Sequence, residues 1–102
     1  MSFLFSSVGY EQLTGITSAT GITPSLYQYT QDNGDVSVVG RRVLLQATGA
    51  NVRWRDDGTD PTASVGMVVV AGGAPQLYEG PVENLRFIQE SGGAVLNVTV
   101  YA

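Results

Sequence analysis

The chain has 102 residues; 43% are hydrophobic, only 14% are charged, and nine acidic against five basic residues leave a net charge of −4. That length supports one hydrophobic core and not two. The acidic balance excludes the clustered positive charge that a nucleic-acid surface needs, the lack of histidine and cysteine excludes the usual nucleophilic triads, most zinc sites and disulfides, and no apolar run is long enough to span a membrane.

Residues 1–24 carry a single charge, Glu11, among serine, threonine, glycine and scattered apolar side chains. The start lacks a basic segment followed by a long apolar stretch, so it does not read as a secretory signal. Thr14-Gly15-Ile16-Thr17 is nearly repeated by Thr20-Gly21-Ile22-Thr23. β-Branched residues mixed with glycine disfavour helix and favour extended chain. The stretch reads either as a first strand with its loop or as an extended N-terminal arm, and fully extended it would reach about 80 Å. In the arm reading Phe3, Leu4, Phe5 and Tyr10 are the anchors to a partner, because aromatic side chains dominate interface energetics.

Residues 25–102 read as short strands separated by turns. Strands are predicted at 26–30, 36–39, 43–47, 52–55, 66–70, 76–78, 85–89 and 94–101. Asp32-Asn33-Gly34-Asp35 predicts a tight hairpin turn. At 52–55 the alternation Val-Arg-Trp-Arg turns Val52 and Trp54 toward the core and Arg53 and Arg55 to the other side. Ala94, Leu96, Val98 and Val100 alternate with Val95, Asn97, Thr99 and Tyr101 in the same way. Only Pro81-Val82-Glu83-Asn84 suggests a helical turn. The expected fold is all-β, a β-sandwich of jelly-roll type.

The candidate chemistry is sparse. Asp56, Asp57 and Asp60 lie on one loop that could hold a metal through hard oxygen ligands, and Asp32-Asn33-Gly34-Asp35 is a second such grouping. Their spacing does not fit an EF-hand, and a turn held by Asx hydrogen bonds is the favoured reading. The same carboxylates, adjacent in sequence, point apart on a strand and lack the arrangement of a glycosidase pair. No cofactor site is expected. Asn97-Val98-Thr99 fits a glycosylation sequon but falls inside a predicted strand. Arg53 and Arg55 face either an acidic partner or Asp57 and Glu79 of the same sheet. Five arginines with no lysine suit an interface, because the guanidinium fork tolerates partial burial and pairs in two-pronged fashion.

The run Val52-Arg53-Trp54-Arg55-Asp56-Asp57-Gly58-Thr59-Asp60-Pro61-Thr62-Ala63-Ser64-Val65-Gly66-Met67, with Tyr78-Glu79-Gly80, Leu85-Arg86-Phe87-Ile88 and Ala94-Val95-Leu96-Asn97-Val98, resembles a group of small tailed-phage virion proteins. The resemblance covers about residues 43–102 and leaves the N-terminal stretch outside. It implies a non-enzymatic structural protein of the virion, a capsid decoration or cement protein on the head surface, assembled in the host cytoplasm. The implied partners are the major capsid protein and further copies of the chain, as a dimer or trimer, with no nucleic acid and no membrane. A tail, baseplate or fibre component is the alternative within that class. A carbohydrate-binding module for host attachment is the alternative outside it, with Tyr27, Tyr29, Tyr78 and Tyr101 as its aromatics.

Overall fold

A computed structural model describes residues 7–30, 32–38 and 41–101. Nine strands follow one another among these residues: β1 (Ser7–Thr14), β2 (Gln28–Thr30), β3 (Val36–Val38), β4 (Arg42–Thr48), β5 (Val52–Arg55), β6 (Met67–Val69), β7 (Gln76–Glu79), β8 (Arg86–Gln89) and β9 (Val95–Tyr101). Two single 3₁₀ turns, at Pro24–Leu26 and Val82–Asn84, are the only helical pieces described. The fold is all-β and sandwich-like, as expected.

The strands form a four-stranded sheet in the order β1-β9-β4-β7, a three-stranded sheet in the order β6-β5-β8, and a separate β2-β3 hairpin. Every strand pair is antiparallel. Period-two alternation decides which side of each strand is buried. Val43, Leu45 and Ala47 of β4 and Leu96, Val98 and Val100 of β9 turn one face of the larger sheet inward. Val52, Val69 and Phe87 supply the smaller sheet's share of the same core. Val82 and Leu85, on the second 3₁₀ turn and just after it, close one side.

Residues 7–24 belong to this body. β1 pairs with the C-terminal strand from Ser7↔Tyr101 to Thr14↔Val95, with a bulge at Val8. The chain then crosses the core, burying Ile16 and Ile22. It also lies along the edge of β8, where Thr20 and Phe87 exchange backbone hydrogen bonds of 2.9 and 2.8 Å and the Gln89 N–H donates to the Ile16 carbonyl at 3.0 Å. At the opposite end of the smaller sheet, Ala71 bridges to Ala47 of the larger one, so the two sheets meet at a corner.

Two expectations need correction. The strand expected at 26–30 starts at Gln28, because Pro24 opens a 3₁₀ turn, a position where its fixed φ and missing N–H cost nothing. The Asn-Gly turn is not a two-residue hairpin. Thr30 pairs with Val36, so the connection is longer than two residues, and only Gly34 of its described residues takes a positive φ, at 91°. The Asn33 carboxamide instead accepts the Asp35 N–H at 3.0 Å.

Candidate functional site

Among the described residues no cluster of acids and bases stands out, so the candidate site is a surface. The outer face of the four-stranded sheet is set by strand register. One row across it holds Tyr10, Thr99, Leu44 and Leu77, and the next holds Gln12, Asn97 and Gln46. Tyr10 and Leu77 are each 54% exposed, and Val8, two residues before Tyr10 on β1, is 41% exposed. Among the described residues charge enters this face only at one end, where Arg42 and Glu79 pair across the strands at 3.0 Å. In the middle lies a hollow of about 230 Å³ lined by Tyr10, Leu44, Gln46, Pro75, Asn97 and Thr99. A polar line crosses its floor. The Tyr10 hydroxyl donates to Asn97 Oδ1 at 2.7 Å, and Asn97 Nδ2 donates to Gln46 Oε1 at 3.4 Å. Neutral polar groups that satisfy one another beneath an exposed ring desolvate at low cost.

A second concavity, about 380 Å³, is lined by Trp54, Arg55, Asp56, Asp57, Val65, Gly66 and Met67. Here the carboxylates are already engaged. The Tyr78 hydroxyl donates to Asp56 Oδ2 at 2.6 Å. Arg55 holds Asp57 through Nε at 3.1 Å and Nη2 at 2.5 Å, and the Thr59 N–H adds a third, weaker bond to Asp57 at 3.3 Å. The Arg55 hydrogen bond is the main reason the Asp57 carboxyl sits below the usual carboxylate range, and the same bond raises Arg55. Burial, followed by the hydrogen bond to Asp56, pushes the Tyr78 hydroxyl well above its ordinary value. Among the described residues no group of three or more acidic, histidine or cysteine side chains is placed to hold a metal ion. Asp56, Asp57 and Asp60 form an Asx-braced turn whose first two carboxylates have protein partners.

Trp54 is half-buried against the core and meets Tyr78 edge-on, with ring centroids 5.3 Å apart and planes at 80°. This contact ties β5 to β7 across the two sheets. Its indole N–H is buried without an acceptor among the described residues.

The structure separates the predicted interface residues. Tyr10 stands on the exposed outer face of the larger sheet. Arg53 and Arg55 lie on the smaller sheet, both half-buried and both engaged within the chain. Arg53 pairs with neither Asp57 nor Glu79. The β5–β8 register sets Val52 opposite Gln89, which brings Glu90 to Arg53, and Arg53 donates to Glu90 Oε2 at 2.7 Å and to the Gly66 carbonyl at 3.1 Å. Phe3, Leu4 and Phe5 lie outside the described residues. Of the four tyrosines expected to serve a sugar platform, Tyr27 and Tyr78 are buried, at 7% and 8% exposure, Tyr101 is half-buried, and nothing is described of the Tyr29 side chain. Sequence reasoning missed Leu44, Leu77 and the Gln46–Asn97 line. The alternation in 42–48, carried one strand further, would have found Leu44 and Gln46 on the face opposite Val43 and Leu45.

The chain matches no family model, no curated protein and no solved structure.

Proposed function

We propose that the protein is a non-enzymatic structural subunit of a phage virion. In this reading it decorates the assembled head and docks through the outer face of its four-stranded sheet. One observation carries the reading: a broad sheet face with exposed Val8, Tyr10 and Leu77, and with charge confined to one paired Arg42–Glu79 couple. A free monomer seldom leaves so large a neutral face to water, whereas the core of a protein interface is depleted in charge in this way. The arginine–aspartate–glycine run centred on residues 53–58 adds the resemblance to small virion proteins.

We read the finer fold as a jelly roll. The order β1-β9-β4-β7 in one sheet supports this, as does the order 16–20, β8, β5, β6 in the other once the Thr20–Phe87 bridge is counted. That is the pattern made when one long hairpin is rolled into two facing sheets. The β2-β3 hairpin is then an insertion between the second and third strands of the roll, residues 16–20 and β4.

The mechanism is linkage. A subunit that binds only the assembled shell stabilises each site by RT ln(1 + [L]/Kd), and many sites per particle multiply the effect. Partners are the major capsid protein and neighbouring copies, and the location is the outer surface of the capsid. Co-sedimentation with undecorated heads of the encoding phage, with tails as control, tests the reading. Saturable binding at several copies per capsomer supports it. Binding to tails and not to heads moves the subunit to a tail or baseplate.

The central hollow supports a second reading. An exposed tyrosine ring over asparagine, glutamine and threonine is chemistry suited to one neutral sugar ring. Glycan-array binding lost in Tyr10→Ala and Asn97→Ala would favour a host-attachment module over a cement protein.

A further inference from the structure

The edges of the two sheets are not equally protected. β7, at one edge of the larger sheet, has four residues, lies between Pro75 and Pro81, and ends in the charged Glu79. β6 has three residues. The edge of β8 is occupied by residues 16–20. Shortness, proline, charge and cover are the usual means of keeping a sheet edge from pairing with another chain. Among the described residues β1 is the least protected edge, with no proline and no strand paired to its outer side. It runs eight residues and has only its Val8 bulge near one end. Its one charge, Glu11, lies on the core side, where the carboxylate accepts the Thr23 N–H at 2.7 Å and the Thr23 hydroxyl at 2.9 Å.

We propose that β1 is the seam of a homodimer, in which two copies pair antiparallel along this edge and join their four-stranded sheets into one continuous sheet. A second copy is the fitting occupant for three reasons. A two-fold axis through the strand continues the all-antiparallel pattern of the sheet. The side chains that come together on the outer face are uncharged. A two-fold axis at Gln12 also sets Glu11 opposite Leu13 of the second copy and Tyr10 opposite its Thr14, which keeps the two glutamates from facing each other. The dimer doubles the neutral outer face. It does not depend on the virion reading, because self-association is a property of the isolated chain.

Sedimentation equilibrium of the full chain, taken to about 1 mM so that weak association registers, tests the proposal, with amide exchange followed over the same range. The expected result is a monomer–dimer equilibrium in which the β1 amides slow as concentration rises. Gln12→Lys places a charge at the seam and weakens the dimer at least tenfold without changing the melting temperature. Thr14→Lys, which faces Tyr10 of the second copy, does the same and guards against a local effect of one variant. Leu77→Lys, on the opposite edge, leaves the dimer intact. A monomer throughout, a dimer indifferent to both β1 variants, or a dimer lost on Leu77→Lys overturns the proposal. So does protection of β1 only when shells are added, which would put a capsid strand there instead.

Discussion

Replacing Tyr78 by phenylalanine removes one hydroxyl and keeps the ring that meets Trp54. The lost interaction is the 2.6 Å hydrogen bond to Asp56. Hydrogen bonds to charged acceptors are worth about 1.5–3 kcal/mol when broken on one side. Asp56 is half-buried, so water replaces part of the bond, and the expected loss is about 1–2 kcal/mol. For a domain of this size each kcal/mol moves Tm by roughly 4–8 °C, so the variant should melt roughly 5–15 °C lower at pH 7. The pH dependence adds a second signature. The Tyr78 pKa is raised above its ordinary 10.0 in the folded protein. The folded state therefore holds this proton more tightly than the unfolded chain does. The associated stability is complete below about pH 10 and is lost as pH rises through the folded value, at up to about 1.4 kcal/mol per pH unit. Phenylalanine lacks that component. In urea denaturation the gap between wild type and Tyr78→Phe should narrow steadily from pH 10 to pH 11.5, while the other tyrosines cancel in the difference. An unchanged Tm at pH 7, or two stability curves that stay parallel in alkali, would refute the assignment of this bond as the tie between the Asp56 turn and β7.

Gly49 has φ +82°, and a Cβ there would lie 2.1 Å from the Gly93 carbonyl oxygen. Gly49→Ala should cost at least about 2 kcal/mol through strain and backbone displacement, read as a lower urea midpoint with an unchanged slope. Neither EDTA nor millimolar calcium should shift Tm by more than a degree or so, because Asp56 and Asp57 already have protein partners; a large calcium-dependent rise would restore the metal reading of the 56–60 loop. Leu77→Glu, a change on a half-exposed side chain, should leave Tm within a few degrees of wild type, within the usual ±0.5 kcal/mol of a surface substitution, and yet lower shell affinity at least tenfold.

Local pattern carried much of the fold. The alternation in 94–101 and 52–55 placed β9 and β5 with their inward faces, and apolar β-branched runs located β4, β6 and β8 to within a residue or two. The boundary errors came from turn chemistry. Pro24 reads equally well as the end of one segment or the first residue of a 3₁₀ turn, and Asn33-Gly34 fits a two-residue hairpin until the pairing of Thr30 with Val36 fixes a longer loop. The surface was less legible, because its partners are remote in sequence. Arg53 and Glu90 are separated by 37 residues, Tyr78 and Asp56 by 22, and Tyr10 and Asn97 by 87. No local pattern encodes those meetings. They follow from a strand order that joins the first strand to the last. Trp54 illustrates both sides: its inward direction follows from alternation with Val52, but its edge contact with Tyr78 depends on how two sheets face each other.

The central claim is that the neutral face of the four-stranded sheet seats this subunit on an assembled shell. Cryo-electron microscopy of undecorated heads mixed with the purified protein tests it most directly. The account predicts ordered density at regular positions on the capsid surface, with Tyr10, Leu44 and Leu77 turned toward the shell or toward a neighbouring copy. Bare heads at saturating protein, or subunits bound with that face open to solvent, would contradict it.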